Sequence, residues 1–179
     1  MDIEKKVWEV LCSKEEIKSR VEEIGKQISK EYQEKNLLVI SLLRGSFIFA
    51  ADLVREITVP CKVDFMTTSS YGHSQETSGE VRVVADVSTD MVGYDVLIVD
   101  DIVDSGTTMA FVKDYIQSKG AKSVRTCSLL DKPSRRKVDV NPDYTGFVIE
   151  DKFVVGYGLN FGDYYRNIPY VFVVTDQDR

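Results

Sequence analysis

The sequence predicts an α/β domain built on a mainly parallel sheet flanked by helices. Three observations predict it. Continuous apolar runs, Leu37–Leu43 and Val96–Val99, have the character of strands buried on both faces. Stretches with apolar residues at steps of three and four lie between such runs. The two kinds of segment alternate along the chain, as βαβ connections require.

Taken in order, residues 13–36 form the first predicted helix. Ile17, Val21, Ile24, Ile28 and Tyr32 make its apolar stripe, and Ser13 with Glu16 fits a capping box. Leu37–Leu43 is a strand, broken by Arg44-Gly45-Ser46, and Phe47–Ile57 reads as helical. Cys61–Ser69 and Val81–Val87 are strands that together suggest a long hairpin, and the polar segment Tyr71–Glu80, with Gly72 and Gly79, is its loop. A buried strand at Asp95–Val99 precedes a helix over Thr107–Lys119, closed by Gly120. Ser123–Leu130, Gly146–Ile149 and Tyr170–Thr175 are the remaining strands. In such sheets ligands sit beyond the carboxyl ends of the strands, so the chemistry is sought there.

The chain has 179 residues and shows no repeat, low-complexity tract or linker, which indicates one domain over 1–179. No apolar run approaches the roughly 18–20 residues of a membrane span. Met1–Glu9 is charged and lacks a signal-peptide core, so a cytoplasmic protein with reduced Cys12, Cys61 and Cys127 is expected. A net charge of −6 argues against broad nucleic-acid binding but permits a phosphorylated substrate held by local positive groups or a metal ion.

The most informative stretch is Val96–Thr108. Four apolar residues run into Asp100 and Asp101, a third carboxylate follows at Asp104, and Ser105-Gly106-Thr107-Thr108 opens a helix. Gly106 permits a positive φ or a close backbone approach. N–H groups at a helix start, helped by hydroxyls, can surround a phosphate. Carboxylates would repel that phosphate, so they must address sugar hydroxyls, a divalent cation or a proton on a base.

This stretch closely resembles the ribose-phosphate signature of type I phosphoribosyltransferases. The resemblance implies that fold, with a hairpin-like lid at about 71–80 and a small base-binding hood formed by the N-terminal segment and about 151–170. It places Asp100 and Asp101 on ribose hydroxyls and metal, Asp104 to Thr108 around the 5-phosphate, and Asp104 beside the base as the catalytic group. Four more segments, Ser41–Ser46, Ser69–Gly72, Ser128–Lys132 and Asp151–Leu159, resemble those of hypoxanthine-guanine phosphoribosyltransferases of the short bacterial kind, in collinear order from about Leu37 onward.

That likeness implies transfer of a phosphoribosyl group from 5-phosphoribosyl-1-pyrophosphate to a 6-oxopurine in purine salvage. Lys132 would donate to the 6-oxo group; adenine there would leave it unpaired, at roughly 1–3 kcal/mol. Phe153 would stack on the purine, Val154 would offer backbone groups, and Arg44, Gly45 and Arg166 would hold pyrophosphate. A non-proline cis peptide is implied between Leu43 and Arg44, and Ser70 and Tyr71 would begin the lid. Mg²⁺ is the implied cofactor, and a homodimer or homotetramer the implied assembly.

Two departures stand out. Asn160 occupies the family's metal-ligand aspartate position after Gly156-Tyr157-Gly158-Leu159, where the neutral amide is a weaker ligand and Asp163 is an alternative. Asp100 stands where many relatives have glutamate. Two alternatives stay open. One is a xanthine-preferring transferase. The other is a nucleic-acid-binding regulator on the same fold, for which Lys132, Arg135, Arg136 and Lys137 are the only basic cluster noted.

Overall fold

The computed structural model describes residues 8–70 and 81–175. In chain order the elements are β1 (Glu9–Cys12), α1 (Lys14–Glu31), β2 (Leu37–Leu43), α2 (Phe47–Glu56), β3 (Cys61–Ser70), β4 (Val81–Ala85), β5 (Asp95–Val103), α3 (Thr107–Ser118), β6 (Ser123–Asp131), a 3-10 turn (Pro133–Arg135), β7 (Tyr144–Val148), β8 (Val154–Val155) and β9 (Val171–Val173). The large sheet has the order β4-β3-β2-β5-β6-β7. All of its neighbours run parallel except β3 and β4, which form the antiparallel pair expected of a hairpin.

Strand periodicity explains the layering. Leu37 and Val39 of β2, with Leu97 and Val99 of β5, face a core shared with α1 and α2. Their sequence neighbours Leu38, Ile40, Val96 and Ile98 face the opposite core, packed on α3 through Met109, Val112 and Ile116. Both faces are covered, so these central strands carry no polar alternation. The α1 stripe predicted from spacing is buried, and the capping box forms: Glu16 N donates to Ser13 Oγ at 3.2 Å, and Ser13 N donates to Glu16 Oε2 at 2.8 Å. The helix stops at Glu31 rather than Asn36, because Tyr32 caps it and Glu34 turns the chain with φ 60°.

Two strands differ from the sequence reading in a way that matters. β5 runs on to Val103, so Asp100 and Asp101 lie inside it, paired in register with β6 (Asp100 opposite Ser128, Val103 opposite Asp131). The ladder continues because β6 extends equally far, which the composition of β5 alone does not reveal. The segment expected as the last strand forms as Val171–Val173 in a separate three-stranded antiparallel sheet, β1-β9-β8. β1 and β8 were not anticipated; at four and two residues they are too short to show a period. Val155, Phe172 and Val174 form this sheet's own core, with the Trp8 ring centroid 4.8 Å from that of Phe172.

Cys12 and Cys127 are buried core residues. Burial, helped by the Glu16 charge, pushes the Cys12 thiol up to about 11, so it stays protonated at neutral pH. Among the described residues no helix is long and apolar enough to cross a membrane.

Candidate active site

The carboxyl ends of the parallel strands β2, β5 and β6 bring Arg44, Asp100, Asp101, Asp104 and Lys132 to one end of the large sheet. Asp100 and Asp101 are consecutive on β5, so their side chains leave on opposite faces. Asp100 borders a cleft of about 230 Å³ lined also by Asp104, Ser105, Gly106 and Thr108. Asp101 turns the other way, against Gly45, where a Cβ would overlap its carboxylate. Asp101 N donates to Asp100 Oδ1 and Ile102 N to Asp101 Oδ1, each at 3.0 Å. Burial, and then the neighbouring Asp101 charge, raises the Asp100 carboxyl well above its usual range. Asp101 is also raised by burial, against hydrogen bonds and the Arg166 charge that favour its anion.

The turn after β5 is shaped by Gly106, whose φ of 81° is left-handed and starts α3. Ser105 Oγ donates to Thr107 Oγ1 at 3.1 Å and accepts from Thr107 N at 3.3 Å, which tightens the turn. The first turn of a helix has N–H groups without intrahelical partners, so an anion is favoured there. Asp104 stands at the rim, its Oδ1 accepting from Arg135 Nε at 3.1 Å. The same guanidinium reaches Asp151 Oδ2 at 3.4 Å.

After β2 the Leu43–Arg44 peptide is cis, as the resemblance implied. Ser46 Oγ donates to Leu42 O at 2.6 Å and lies 2.7 Å from Ser41 Oγ, which fixes this loop from beneath and leaves Arg44 exposed. Gly158 approaches Gly45 so closely that a Cβ would overlap the Gly45 carbonyl. Arg166 is tied to the same turn: its Nη1 donates to Gly158 O at 2.5 Å, and Gly158 N donates to Arg166 O at 2.9 Å. Asp101, Gly45, Gly158 and Arg166 therefore meet, although they are far apart in sequence.

Lys132 directly follows β6, with its side chain only 8 % exposed. Its Nζ donates to Lys152 O at 2.5 Å and lies 3.8 Å from Asp151 Oδ1. Phe153, 38 % exposed, meets the Phe161 ring edge-on at 5.9 Å, and Val154 is buried in β8. Asn160 is exposed and donates through Nδ2 to Gly162 O at 2.5 Å. Ser70 ends β3, whereas Tyr71 and the rest of the expected lid, through Glu80, lie outside the described residues.

Three of the four members of the basic cluster noted in the sequence, all but the exposed Lys137, are not free cations. Arg135 pairs with Asp104 and Asp151, Arg136 pairs with Asp131, and Lys132 is buried. Arg135, Arg136, Asp131 and Asp151 are the neighbours that sequence reasoning missed as part of the site. Their signal was the run of charges on both sides of a strand end. A larger cleft of about 370 Å³, between α1, α2 and residues 157 and 167–169, holds none of the strand-end carboxylates of β5.

Among the described residues no three His, Cys, Asp or Glu side chains are grouped as a protein-held metal centre. Asp100 and Asp101 are nevertheless adjacent and half-buried, with both carboxyls raised by burial, and their hard oxygens suit Mg²⁺, which commonly takes one or two carboxylates and completes its shell with water and substrate oxygens.

Residues 8–162 match the family model of the phosphoribosyl transferase domain. The chain belongs to the phosphoribosyltransferase family. This phosphoribosyltransferase is 48 % identical over 165 residues to the hypoxanthine phosphoribosyltransferase of Salmonella typhimurium, covering 91 % of this chain and 93 % of the relative. It is 45 % identical over 173 residues to the hypoxanthine-guanine phosphoribosyltransferase of Bacillus subtilis, covering 97 % and 94 %. A crystal structure of a hypoxanthine phosphoribosyltransferase from Staphylococcus aureus superposes with a TM-score of 0.91 at 40 % identity, over 94 % of this chain and 92 % of that one. The predicted fold class is thereby established for this phosphoribosyltransferase.

Proposed function

We propose that this phosphoribosyltransferase moves the phosphoribosyl group of 5-phosphoribosyl-1-pyrophosphate onto hypoxanthine, guanine or both, releasing pyrophosphate in purine salvage. The observation that carries the choice of base is Lys132. Its ammonium is held in place at the end of β6, against the loop that presents Phe153 and Val154, where it can donate to a 6-oxo group. The small sheet serves as the hood over the base, and the segment after Ser70 as the lid.

The turn Ser105–Thr108 takes the 5-phosphate on backbone N–H groups and hydroxyls. Asp100 and Asp101 accept from the ribose hydroxyls and contribute ligands to Mg²⁺. When bound, Mg²⁺ offsets pyrophosphate charge and so favours its departure. Arg44, Gly45 and Arg166 face the pyrophosphate, with Arg166 oriented by its bond to Gly158 O. Asp104, at the rim of the phosphate turn, takes the proton from the purine nitrogen. Phe153 covers the base with an apolar face, and stacking of that kind is worth about 1–3 kcal/mol.

The test is a panel of hypoxanthine, guanine, xanthine and adenine, assayed with the phosphoribosyl donor and Mg²⁺. Nucleotide formation from hypoxanthine or guanine, with adenine rejected, is expected; equal use of adenine would sink the role of Lys132. Xanthine as the strongest substrate would replace the assignment with the xanthine-preferring one.

Asn160 makes a second expectation. Asn160→Asp adds a charged hard ligand near the polyphosphate and is expected to lower the half-saturating Mg²⁺ concentration several-fold at fixed donor. Two effects oppose it. The new carboxylate repels pyrophosphate, and the Nδ2 donor to Gly162 O is lost, at about 0.5–1.5 kcal/mol. Tightening is favoured because a cation held there would attract both anions at shorter range than they would repel one another. An equal or higher half-saturating concentration would assign Asn160 to holding its turn instead.

A further inference from the structure

The phosphate turn is held from behind by a side chain that is not part of it. Arg136, 13 % exposed, reaches four acceptors. Its Nη1 donates to Val103 O at 3.0 Å and to Asp104 O at 2.7 Å. Its Nε donates to Val140 O at 2.8 Å, and its Nη2 pairs with the buried Asp131 carboxylate. The next residue continues the pattern: Lys137 N donates to Ser105 O at 2.9 Å. Three successive carbonyls, those of Val103, Asp104 and Ser105, are thus engaged by residues 136 and 137; Val103 O also accepts from Lys132 N at 2.9 Å, so the carbonyl of Asp104 is the one that depends on Arg136 alone.

The peptide geometry gives this arrangement a consequence. In a planar trans peptide the C=O of one residue and the N–H of the next point in opposite directions. Carbonyls of 103, 104 and 105 that turn toward the 136–137 segment therefore turn the N–H groups of Asp104, Ser105 and Gly106 away from it, toward the cleft lined by Asp100, Ser105, Gly106 and Thr108. Close packing allows little escape from this orientation, since a Cβ on Gly106 would press on Arg136, Val138 and Val140.

We infer that Arg136 is a positioning residue for phosphate recognition, whose guanidinium fixes the peptides of the turn so that their N–H groups converge on the 5-phosphate before it binds. This rests on the reading of Ser105–Thr108 as the 5-phosphate cradle. Asp131 neutralises the guanidinium locally, so the pair supplies orientation rather than a long-range attraction for the anion. A planar fork suits the task and a lysine does not, because a single ammonium cannot span two carbonyls, a third across the loop and a carboxylate in fixed directions.

The measurement compares the affinity of the full chain for a hypoxanthine nucleoside and for its 5′-monophosphate, by titration calorimetry. Their ratio isolates the contribution of the phosphate. Arg136→Met is expected to lower that ratio at least tenfold, about 1.4 kcal/mol, with nucleoside affinity kept within twofold. Arg136→Lys retains the charge and the aliphatic stem, so it guards against a fold that fails in the first variant; its ratio is expected to fall several-fold. A ratio unchanged in both variants would overturn the inference. So would equal losses for nucleoside and nucleotide, the mark of a merely structural residue. A wild-type ratio near one would overturn the cradle reading itself and this inference with it.

Discussion

Asp104→Asn is expected to lose about 10²–10⁴ in kcat, the range over which a positioned proton acceptor contributes. The substitution is nearly isosteric, and an amide oxygen can still accept from Arg135, which holds Asp104 at 3.1 Å. Substrate affinities are therefore expected to change little. Initial rates against both substrates, with equilibrium binding of the base in the presence of pyrophosphate, separate the two quantities. Turnover within a few-fold of wild type would remove Asp104 from the proton transfer. A parallel loss of binding would make its pairing with Arg135 the reason for its presence.

Lys132→Ala is expected to lower kcat/KM for hypoxanthine by roughly tenfold to a hundredfold, the equivalent of about 1–3 kcal/mol for a buried acceptor left without its donor. Discrimination against adenine is expected to narrow at the same time, since the proposed donor to a 6-oxo group is gone. The loop responds as well. Lys152 O loses the donor at 2.5 Å, while Asp151 retains Arg135. Paired measurements of kcat/KM for hypoxanthine and adenine check this. Identical values in variant and wild type for both bases would exclude Lys132 from base recognition.

The residues that read most clearly in sequence were those whose role is local. A capping box at Ser13 and Glu16, the apolar runs of β2 and β5 and the glycine that opens α3 each depend on neighbours within a few positions. The strand–turn–helix form of Val96–Thr108 was legible for the same reason, because strand, carboxylates and turn are contiguous. What sequence did not disclose depends on contact between distant segments. The approach of Gly158 to Gly45, the Arg135 link between Asp104 and Asp151, and the pairing of β1 with β9 have no local periodic signature. The extent of β5 likewise followed from its partner β6. The roles of Arg44 and Asn160 came through resemblance, and the structure adds to them an exposed arginine beside a cis peptide and an amide donor tied to Gly162 O.

The pairing of β1 with β9 sets an order on how the protein can be completed. Glu9 lies across from Val173, and Val154 pairs with that same Val173. A ribosome delivers the chain from its amino end, so every strand of the large sheet, through Val148, has emerged before the central partner of the small sheet exists. The phosphate turn can assemble while synthesis is still under way. The small sheet cannot, because its first strand, β1, waits for the last, β9. A nascent chain therefore completes every strand that bears the Ser105–Thr108 turn and Lys132 before it can close the small sheet.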